Sequence, residues 1–476
     1  MSWNQLLDDT RLRVLRGGER SVTAPGEARS EFERDRDRTV YSSPVRRLIG
    51  KTQVFPLDPN DHVRTRLVHS LEVSTVAEGL TSQVVRDVIS KKETLSDVHS
   101  RAISKIAETC GLLHDAGNPP FGHAGELAIA SWFQSRLKAD TDQKGGSDTL
   151  FAALGGSDTQ LAQDFLRFEG NAQTMRIIAN SHLLGHDLGL NLTCATNAAA
   201  RKYLASSTTA DKKSSNHALT KPGYFSSEEP LLSMVGQCTG TQGRRHPVTF
   251  LVEAADDIVY SVVDIEDGVK KRILNWRQGE EFLLERCQGS SLFLRALDKT
   301  HKQLKSSGSR EIDSDNSLAQ AFRVNAISEM VRAAVTTFEY RYDQIMDGDY
   351  QEELVRDLHY EAGPLVKACK DLLRLTVFRV EDVLRLEIRG RRVIHDLMDL
   401  FWEGTSYFIK EREVNTSTYA GKLYLLISAS YRGLFERRLA AGTENEVYCG
   451  LQLVTDYVAG MTDGYACRLH KDLMNG

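Results

Sequence analysis

The sequence has no long apolar run and no paired cysteine motif, and both absences narrow the class of protein. No apolar segment approaches the ~20 residues that a transmembrane helix needs. The opening residues, MSWNQLLDDTRLRVLRGGERS, lack the apolar centre of a secretory signal peptide, so we expect a cytoplasmic protein without a membrane segment. The 7 cysteines are scattered without a CxxC motif, which predicts reduced, mostly buried thiols rather than a cysteine zinc site.

The chain also lacks an excess of positive charge. It has 60 lysine and arginine residues against 65 aspartate and glutamate residues, a formal net charge of −5, so no global attraction to nucleic acid is expected. Arginines are nevertheless concentrated in residues 28–47 and 432–438. Such runs are typical of solvated helix faces with carboxylate partners nearby. The alternative is an anion-binding surface for phosphate or nucleic acid.

Strand-like alternation is rare, and apolar residues recur at helical spacing almost throughout. Residues 63–89 and 102–114 each fit an amphipathic helix, and Gly-Asn-Pro-Pro ends the second one. Only residues 377–380 and 384–388 could form a short β-hairpin. Helical spacing continues over 248–273, 317–347, 350–375, 391–412, 417–437 and 447–473. Segments rich in Gly, Ser, Asp and Lys predict loops at 138–160, 205–220 and 305–317.

A set of histidines and carboxylates on these helices has the composition of a metal site. His69 lies within one predicted helix, and His114 and Asp115 lie together where the next one ends. Adjacent residues point about 100° apart on a helix, so both can reach one ion only near a helix terminus or across a groove. Asp256 and Asp257 supply carboxylates in an apolar setting that is costly without partners. Two imidazoles with carboxylates suit Mn, Fe, Co, Ni or Zn and leave coordination positions open.

A second pair of residues follows the Gly-Asn-Pro-Pro break. His123 and Glu126 are three residues apart, so on a helical turn they share a face. A carboxylate that orients an imidazole and keeps it protonated makes a competent general acid or base. The prolines hold this pair close to the His114–Asp115 pair, which predicts a catalytic cluster.

The ordered set His69, His114–Asp115 and Asp256 resembles the HD phosphohydrolase superfamily. More narrowly, the chain resembles the bacterial deoxyguanosinetriphosphate triphosphohydrolases (dGTPases) from about residue 29 to about residue 470. HDAGNPPFGHAGE and EAADDIVYSVVDIEDG are the most specific words. The other matching blocks are RDRDRTVYSSPVRRLIGKTQVFP, HVRTRLVHSLEVS, RFEGNAQTMRI, GLNLTCAT, KPGYFSSEEPLL and DYVAGMTDGYA.

The resemblance implies a mostly α fold with an HD-domain helical core that helical insertions enlarge. We expect a single HD-type body over residues 1–476, with the core and metal site in 29–275. Residues 276–476 would be a C-terminal helical region that completes the nucleotide pocket and makes oligomer contacts. A homo-oligomer is expected, specifically a hexamer.

The family reaction cleaves dGTP between the 5′ oxygen and the α-phosphorus, and so controls the dNTP pool. By this resemblance His69, His114, Asp115 and Asp256 would bind a divalent metal ion, Mn or Mg first, with Co, Ni, Fe or Zn as alternatives. Asp256 is preferred to Asp257 because, as in related SAM-and-HD-domain dNTPases, Tyr and Asp follow it at +4 and +8. His123 would act at the scissile bond, with Glu126 positioning it.

Substrate contacts are also carried over by position. Tyr260 would stack on the deoxyribose, Asp264 would accept a hydrogen bond from the 3′ hydroxyl, and Glu387 would contact guanine. Two departures stand out, KYL where relatives have KYP and Arg391 where they often have an aromatic residue. The remaining expected contacts, to phosphate, sugar or base, are Gln53, Val54, Arg66, Asn171 and Lys202.

Two alternatives remain at the level of sequence. An HD phosphodiesterase or nucleotidase acting on mono- or cyclic nucleotides would use the same ligands and release different products. A nucleotide- or DNA-sensing protein with a dormant site is the non-enzymatic alternative. Single-stranded DNA is also expected as a candidate regulator of an active enzyme of this kind, at the arginine runs.

Overall fold

The computed structural model describes residues 1–20, 27–55, 64–142, 150–181, 183, 186–306 and 315–474. Within these ranges the chain is almost entirely helical, and β-structure is limited to isolated bridges such as Thr52 with Thr65. The prediction of a mostly α protein is confirmed. None of the helices in these ranges combines the length and apolar character that crossing a bilayer requires.

Most helices follow one another with short connections, whereas residues 201–228 separate α12 from α13. In chain order they are α1 (Trp3–Leu6), α2 (Leu12–Leu15), α3 (Glu31–Val40), α4 (Ser43–Arg47), α5 (Arg66–Val84), α6 (Ser90–Lys92), α7 (Asp97–Leu113), α8 (Gly122–Asp142), α9 (Leu150–Ala153), α10 (Gln160–Leu166), α11 (Gly170–Asn180), α12 (Cys194–Ala200), α13 (Glu229–Thr239), α14 (Pro247–Lys270), α15 (Trp276–Arg286), α16 (Ser291–Ser306), α17 (Asp315–Asp347), α18 (Gly363–Leu375), α19 (Glu381–Glu411), α20 (Tyr419–Leu426), α21 (Ala429–Ala441), α22 (Glu446–Ala459) and α23 (Asp463–Met474). Short 3₁₀ turns lie at Leu48–Gly50, His217–Leu219, Ser226–Glu228, Leu354–Arg356 and Val377–Arg379, and a π-helical turn at Val85–Ile89.

Three long helices, α5, α7 and α14, pack together and carry the predicted metal ligands. Their N-termini follow from local sequence, because the side chains of Thr65, Ser96 and His246 accept hydrogen bonds from the first turns of α5, α7 and α14. Almost every residue of α14 is buried, so it runs through the centre of the larger core with α17 on its other side. The bundle therefore fixes the ligand-bearing helices on a rigid support.

A second core lies around α8, α19 and α22. It combines residues of 121–172 with residues of 393–467, so segments far apart in sequence share it. The larger core likewise includes residues from both sides of position 275. The start of α8, which follows the Gly-Asn-Pro-Pro break, is thus held by the C-terminal part of the chain.

Several expected elements differ in detail. The hairpin at 377–380 and 384–388 does not form, because 377–379 is a 3₁₀ turn and 384–388 belongs to α19. Short apolar runs cannot distinguish strand from helix by periodicity alone, and here the longer spacing Val393, Ile394, Leu397 and Phe401 sets the helical register. The predicted helices 417–437 and 447–473 are each broken in two.

The predicted loops and cysteines can be followed in part. Residues 205–220 form turns and a 3₁₀ segment, and Arg167 donates to the carbonyl oxygens of Ser207 and Ala210 within them. Residues 143–149 and 307–314 of the other two loops lie outside the described residues. All seven cysteines are free thiols, and all except Cys238 are buried, as the composition predicts.

Candidate active site

The centre of the site is the end of α7. His114 is the residue that caps this helix, and Asp115 follows in a turn that Pro119 and Pro120 prevent from continuing as helix. Gly117 is required here, since a Cβ atom on it would lie 2.2 Å from the backbone nitrogen of Thr174. The turn therefore presses against α11 and presents both side chains at the helix terminus, as the sequence predicts.

The four predicted metal ligands lie together. Ligand atoms of His69, His114 and Asp115 all lie within 4.8 Å of one another. Asp256 Oδ1 lies 3.1 Å from His69 Nε2 and 3.6 Å from His114 Nε2.

The tautomer of His114 fits a cation at this point. His114 Nδ1 lies 2.7 Å from the carbonyl oxygen of Gly111 and therefore carries the proton, which leaves Nε2 facing Asp115 and Asp256. That Nε2 atom is buried and has no hydrogen-bond partner. A lone pair directed between two carboxylates is what a divalent ion requires. The donor set and its geometry therefore fit a metal ion held by His69, His114, Asp115 and Asp256.

Asp257 faces away from this cluster. Its carboxylate pairs with the ammonium group of Lys370 on α18. The choice of Asp256 over Asp257 agrees with this geometry, because the two adjacent side chains project from α14 in different directions.

Arg66 connects the ligands to the turn that follows them. Its Nη1 donates to Asp115 Oδ2 at 2.5 Å, and its buried Nε has no partner. A Cβ atom on Gly122 would lie 2.5 Å from Arg66 Nη2, so glycine at 122 makes room for the guanidinium. Arg66 thus presents unused donor capacity beside the cluster.

His123 and Glu126 form the pair expected from their spacing. His123 Nδ1 lies 2.9 Å from Glu126 Oε2, and the other Glu126 oxygen accepts from the backbone N–H of Gly170 at 2.8 Å. The His123 side chain is 75% exposed, whereas Glu126 is largely buried. The hydrogen bond that His123 donates to Glu126 raises the pKa of His123 above the ordinary histidine value. The imidazole is therefore oriented, accessible and favoured in its protonated form.

Tyr260 and Asp264, which follow Asp256 on α14, lie beside the candidate metal site. Asp264 is fully buried and Tyr260 is partly buried. Both carboxylate oxygens of Asp264 are buried without a hydrogen-bond partner, and burial raises its pKa to about 7. The ring of Tyr260 is nearly parallel to that of Phe378, at an interplanar angle of 20° and a centroid distance of 6.4 Å. A buried polar group without a partner is uncommon in a folded protein, so Asp264 is a candidate for contact with a ligand.

Lys202 has an ion-pair network that the sequence did not reveal. Its Nζ lies 3.3 Å from Glu253 Oε1, and Arg245 Nη1 lies 2.8 Å from Glu253 Oε2. His217 Nε2 lies 3.4 Å from Glu253 and 2.9 Å from Glu353 Oε1. Glu253 lies three residues before Asp256 on α14, so the i,i+3 spacing could have indicated that the two residues share a helix face. The network holds a lysine at the edge of the cluster.

The four remaining predicted contacts are less tightly placed. Val54 is buried, and Gln53 Oε1 is buried without a partner. Asn171 donates to Glu169 Oε1 at 2.9 Å. Glu387 is exposed on α19, one turn before Gly390, where a Cβ atom would lie 2.7 Å from the Phe121 ring. Glu387 is thus on the helix that borders the site, but without a described bond to it.

Five of the nine arginines in the two runs form ion pairs with carboxylates. Arg29, Arg34 and Arg36 pair with carboxylates of Glu27, Asp37, Glu31 or Glu108. In the second run Arg437 pairs with Asp187 and Arg438 with Glu444. These contacts favour the interpretation as solvated helix faces. Regulation by single-stranded DNA stays a prediction from the family resemblance.

Comparison of the sequence with known proteins identifies the family of this chain. The family model described as a phosphohydrolase-associated domain matches residues 360–472. A deoxyguanosinetriphosphate triphosphohydrolase-like protein of Listeria innocua serovar 6a is 35% identical over 478 residues, 99% of each chain. A protein of the same name from Synechocystis sp. is 35% identical over 484 residues, again 99% of each chain. The deoxyguanosinetriphosphate triphosphohydrolase of Klebsiella pneumoniae subsp. pneumoniae is 31% identical over 482 residues, 93% of each chain. The chain therefore belongs to the deoxyguanosinetriphosphate triphosphohydrolase family of hydrolases.

Proposed function

We propose that this protein is a metal-dependent enzyme that hydrolyses dGTP, with other dNTPs as further candidate substrates, to a deoxynucleoside and tripolyphosphate. The observation that carries the proposal is the placement of the His69, His114, Asp115 and Asp256 cluster beside an exposed, carboxylate-oriented His123. Relatives named for this reaction, at 31–35% identity over nearly the whole chain, support it. The cellular role would be control of the dNTP pool in the cytoplasm.

His69, His114, Asp115 and Asp256 would hold the ion, which we expect to be Mn or Mg. Co, Ni, Fe or Zn also suit a set of two imidazoles and two carboxylates. A divalent ion bound there would supply Lewis-acid chemistry for a phosphate oxygen and would lower the pKa of a water molecule. The protein contributes the fixed geometry, since all four side chains project from rigid helices or a helix terminus.

The other residues bind the substrate and move the proton. Arg66 and Lys202 offset the negative charge of the triphosphate, because each presents a cation at the edge of the cluster. Water attacks the α-phosphorus and the bond to the 5′ oxygen breaks. His123, in its protonated form, donates a proton to that oxygen, so deoxyguanosine leaves as a neutral alcohol. The hydroxyl from water stays on the α-phosphate of the tripolyphosphate, and the second proton of that water passes to solvent, from which His123 is reprotonated.

The sugar and base would lie against α14 and α19. Asp264 is the buried acceptor for the 3′ hydroxyl, and Tyr260 covers the position of a 2′ substituent. Phe378, nearly parallel to Tyr260, adds an aromatic wall that the sequence did not indicate. Gln53 and Val54 approach the sugar and base, Asn171 supplies a polar contact, and Glu387 would accept from the N1 and N2 donors of guanine. We expect a homo-oligomer, a hexamer, as the active form.

Product analysis tests the proposal directly. Purified protein is incubated with each of the four dNTPs and with Mn or Mg, and the products are separated by chromatography. We expect deoxyguanosine and intact tripolyphosphate from dGTP, and no turnover after chelation of the metal. Inorganic phosphate or a nucleoside monophosphate would support the phosphodiesterase or nucleotidase alternative. Binding of nucleotide without any product would support the sensing alternative.

A further inference from the structure

A buried carboxylate from the end of the chain reaches two segments of the site. Asp463, the first residue of α23, is only 1% exposed. Its Oδ1 accepts from the backbone N–H of Phe121 at 3.0 Å. Its Oδ2 accepts from the backbone N–H and the hydroxyl of Thr52, at 3.1 and 2.5 Å. These partners are 342 and 411 residues away in sequence.

The Phe121 segment needs such support. Phe121 has φ +64° and Gly122 has φ +58°, so two consecutive residues adopt the left-handed conformation immediately before His123. For a non-glycine residue such as Phe121 this conformation is sterically unfavourable and persists only where the surroundings enforce it. The surroundings here are Asp463 on the backbone nitrogen and Gly390 against the ring. The direction in which α8 starts, and hence the position of His123, depends on this turn.

Lys51, the residue before Thr52, makes a second set of hydrogen bonds to the same part of the structure. Lys51 is 3% exposed, and its ammonium group donates to the carbonyl oxygens of Asn118 and Ala459, the latter at 2.8 Å. Burial lowers the pKa of Lys51 to about 7. Asn118 in turn donates to Asp115 Oδ1 at 2.6 Å. Ala459 at the end of α22 and Asp463 at the start of α23 therefore connect both ends of the segment 118–121 to the segment 51–52.

Asp463 has no cation in ion-pair contact among the residues that the structure describes. Its charge is satisfied by two backbone N–H groups and one hydroxyl, and charge-assisted bonds of this kind are about twice as strong as neutral ones. All three donors belong to residues next to proposed substrate or proton-transfer groups. The cap of α23 is Thr462, whose Oγ1 accepts from the backbone N–H of Tyr465, so the Asp463 carboxylate is not engaged in capping its own helix.

We infer that Asp463 is a positioning residue, which holds the Phe121–Gly122 turn before His123 and the Gln53–Val54 segment in fixed positions relative to each other. The inference rests on the proposed function, because it assigns His123 to proton transfer and Gln53 and Val54 to substrate binding. Loss of Asp463 would displace His123 from the leaving oxygen and loosen the substrate contacts. Displacements of about 1 Å reduce turnover by about 100-fold in other enzymes.

A double-mutant cycle with His123 distinguishes positioning from general support of the fold. The variants are Asp463→Asn, His123→Ala and the combination, with Asp472→Asn at the exposed end of α23 as the matched control. We expect Asp463→Asn to lower kcat by about 10- to 100-fold in the parent enzyme. In the His123→Ala background the same change should alter kcat by no more than about 2-fold, since there is no imidazole left to position. Metal content, from elemental analysis, should stay at the parent value in all four variants.

An equal loss of kcat in both backgrounds would show that Asp463 acts independently of His123 and would overturn the inference. Thr52→Val gives a second, milder test if Asp463→Asn fails to fold. This substitution removes the hydrogen bond from the Thr52 hydroxyl to Asp463. We expect a higher KM, with kcat within about 2-fold of the parent value. An unchanged KM in Thr52→Val would contradict the link to the Gln53–Val54 segment. Product identity in the parent enzyme tests the proposed function separately from these comparisons.

Discussion

At the scale of single residues, Asp256 and Asp257 stand next to each other on α14 and have different partners. Asp256 lies among imidazoles, while Asp257 pairs with Lys370. The same residue type thus belongs to the candidate metal site at one position and to an ion pair at the next. Rotation by about 100° around the helix axis accounts for the difference.

Changing each of these aspartates to asparagine should separate the two roles. Asp256→Asn removes an anionic ligand, so we expect loss of bound metal and of activity together. Asp257→Asn should keep the metal, because its carboxylate is outside the cluster. Elemental analysis and turnover of dGTP measure both. Full metal content in Asp256→Asn would exclude this aspartate as a ligand.

His123→Ala should lower kcat without changing metal content. A general acid contributes about 10²–10⁴-fold, so we expect a loss in this range. His99→Ala on α7 is the matched control, since only its backbone takes part in the helix cap. Turnover of the His123 variant close to that of the parent would remove this residue from the mechanism.

The Glu126 hydrogen bond should be visible in the pH profile. Because it raises the pKa of His123, the protonated form persists to higher pH, and kcat falls as pH rises through that raised pKa. In Glu126→Gln the stabilising charge is lost, so we expect the basic limb of the kcat profile to move to lower pH. An unmoved limb would mean that a different group controls it.

At the scale of elements, two glycines on site-bearing helices have opposite surroundings. Gly79 is exposed within α5, and a Cβ atom there would meet nothing within 4 Å. Gly125 lies in the first turn of α8 against the proline turn, where a Cβ atom would lie 2.0 Å from the carbonyl oxygen of Pro120. One position tolerates a side chain and the other forbids it.

Alanine at these positions should therefore act in opposite directions. Gly79→Ala should raise the free energy of unfolding by about 0.5–1 kcal/mol, because it restricts the unfolded chain in a helical position. Gly125→Ala should lower it by about 1–3 kcal/mol through overpacking, and should also reduce kcat because the first turn of α8 carries His123. Denaturant unfolding and dGTP turnover check both. Equal stability of the two variants would contradict the described packing.

At the scale of the whole molecule, Asp164 joins segments that are distant in sequence. Its carboxylate accepts from the hydroxyl groups of Ser207 and Tyr448, at 2.6 Å each, and from the backbone N–H of Ser226 at 2.7 Å. Burial raises the pKa of Asp164 to about 7, from an ordinary value of 3.8. The folded protein therefore holds a proton that the unfolded chain releases.

This proton linkage predicts the pH dependence of stability. Between about pH 4 and pH 7 the folded state binds more protons, so the contribution of Asp164 to the free energy of unfolding falls as pH rises. Asp164→Asn lacks this term, so the parent should lose its advantage over the variant across that window. Urea unfolding at pH 4.5 and 7.5 measures the difference, with the exposed Asp158→Asn as control. A difference independent of pH would show that Asp164 is charged in the folded state.

Residues 102–126 show how far local sequence determines the site. The helical period, the Gly-Asn-Pro-Pro break and the i,i+3 spacing predicted the end of α7, the adjacent pair and the His123–Glu126 bond. These features depend on interactions within a few residues, which sequence patterns record. The break in 447–473 was missed although Thr462 caps α23, its Oγ1 accepting from the backbone N–H of Tyr465, because the apolar spacing continues across it.

The sequence by itself thus determined the helical class, the family and the residues with metal-binding chemistry. The preference for Asp256 over Asp257 also came from the sequence, through the family resemblance. The tertiary structure gave its physical basis, since the rotation of α14 in its bundle turns Asp256 toward the histidines. Only the tertiary structure decided that Glu253 holds Lys202, that Phe378 faces Tyr260 and that Asp463 reaches Phe121 and Thr52. The physical reason is the same in each case. These contacts join segments that packing brings together, and no local periodicity or turn chemistry records which buried side chains will meet.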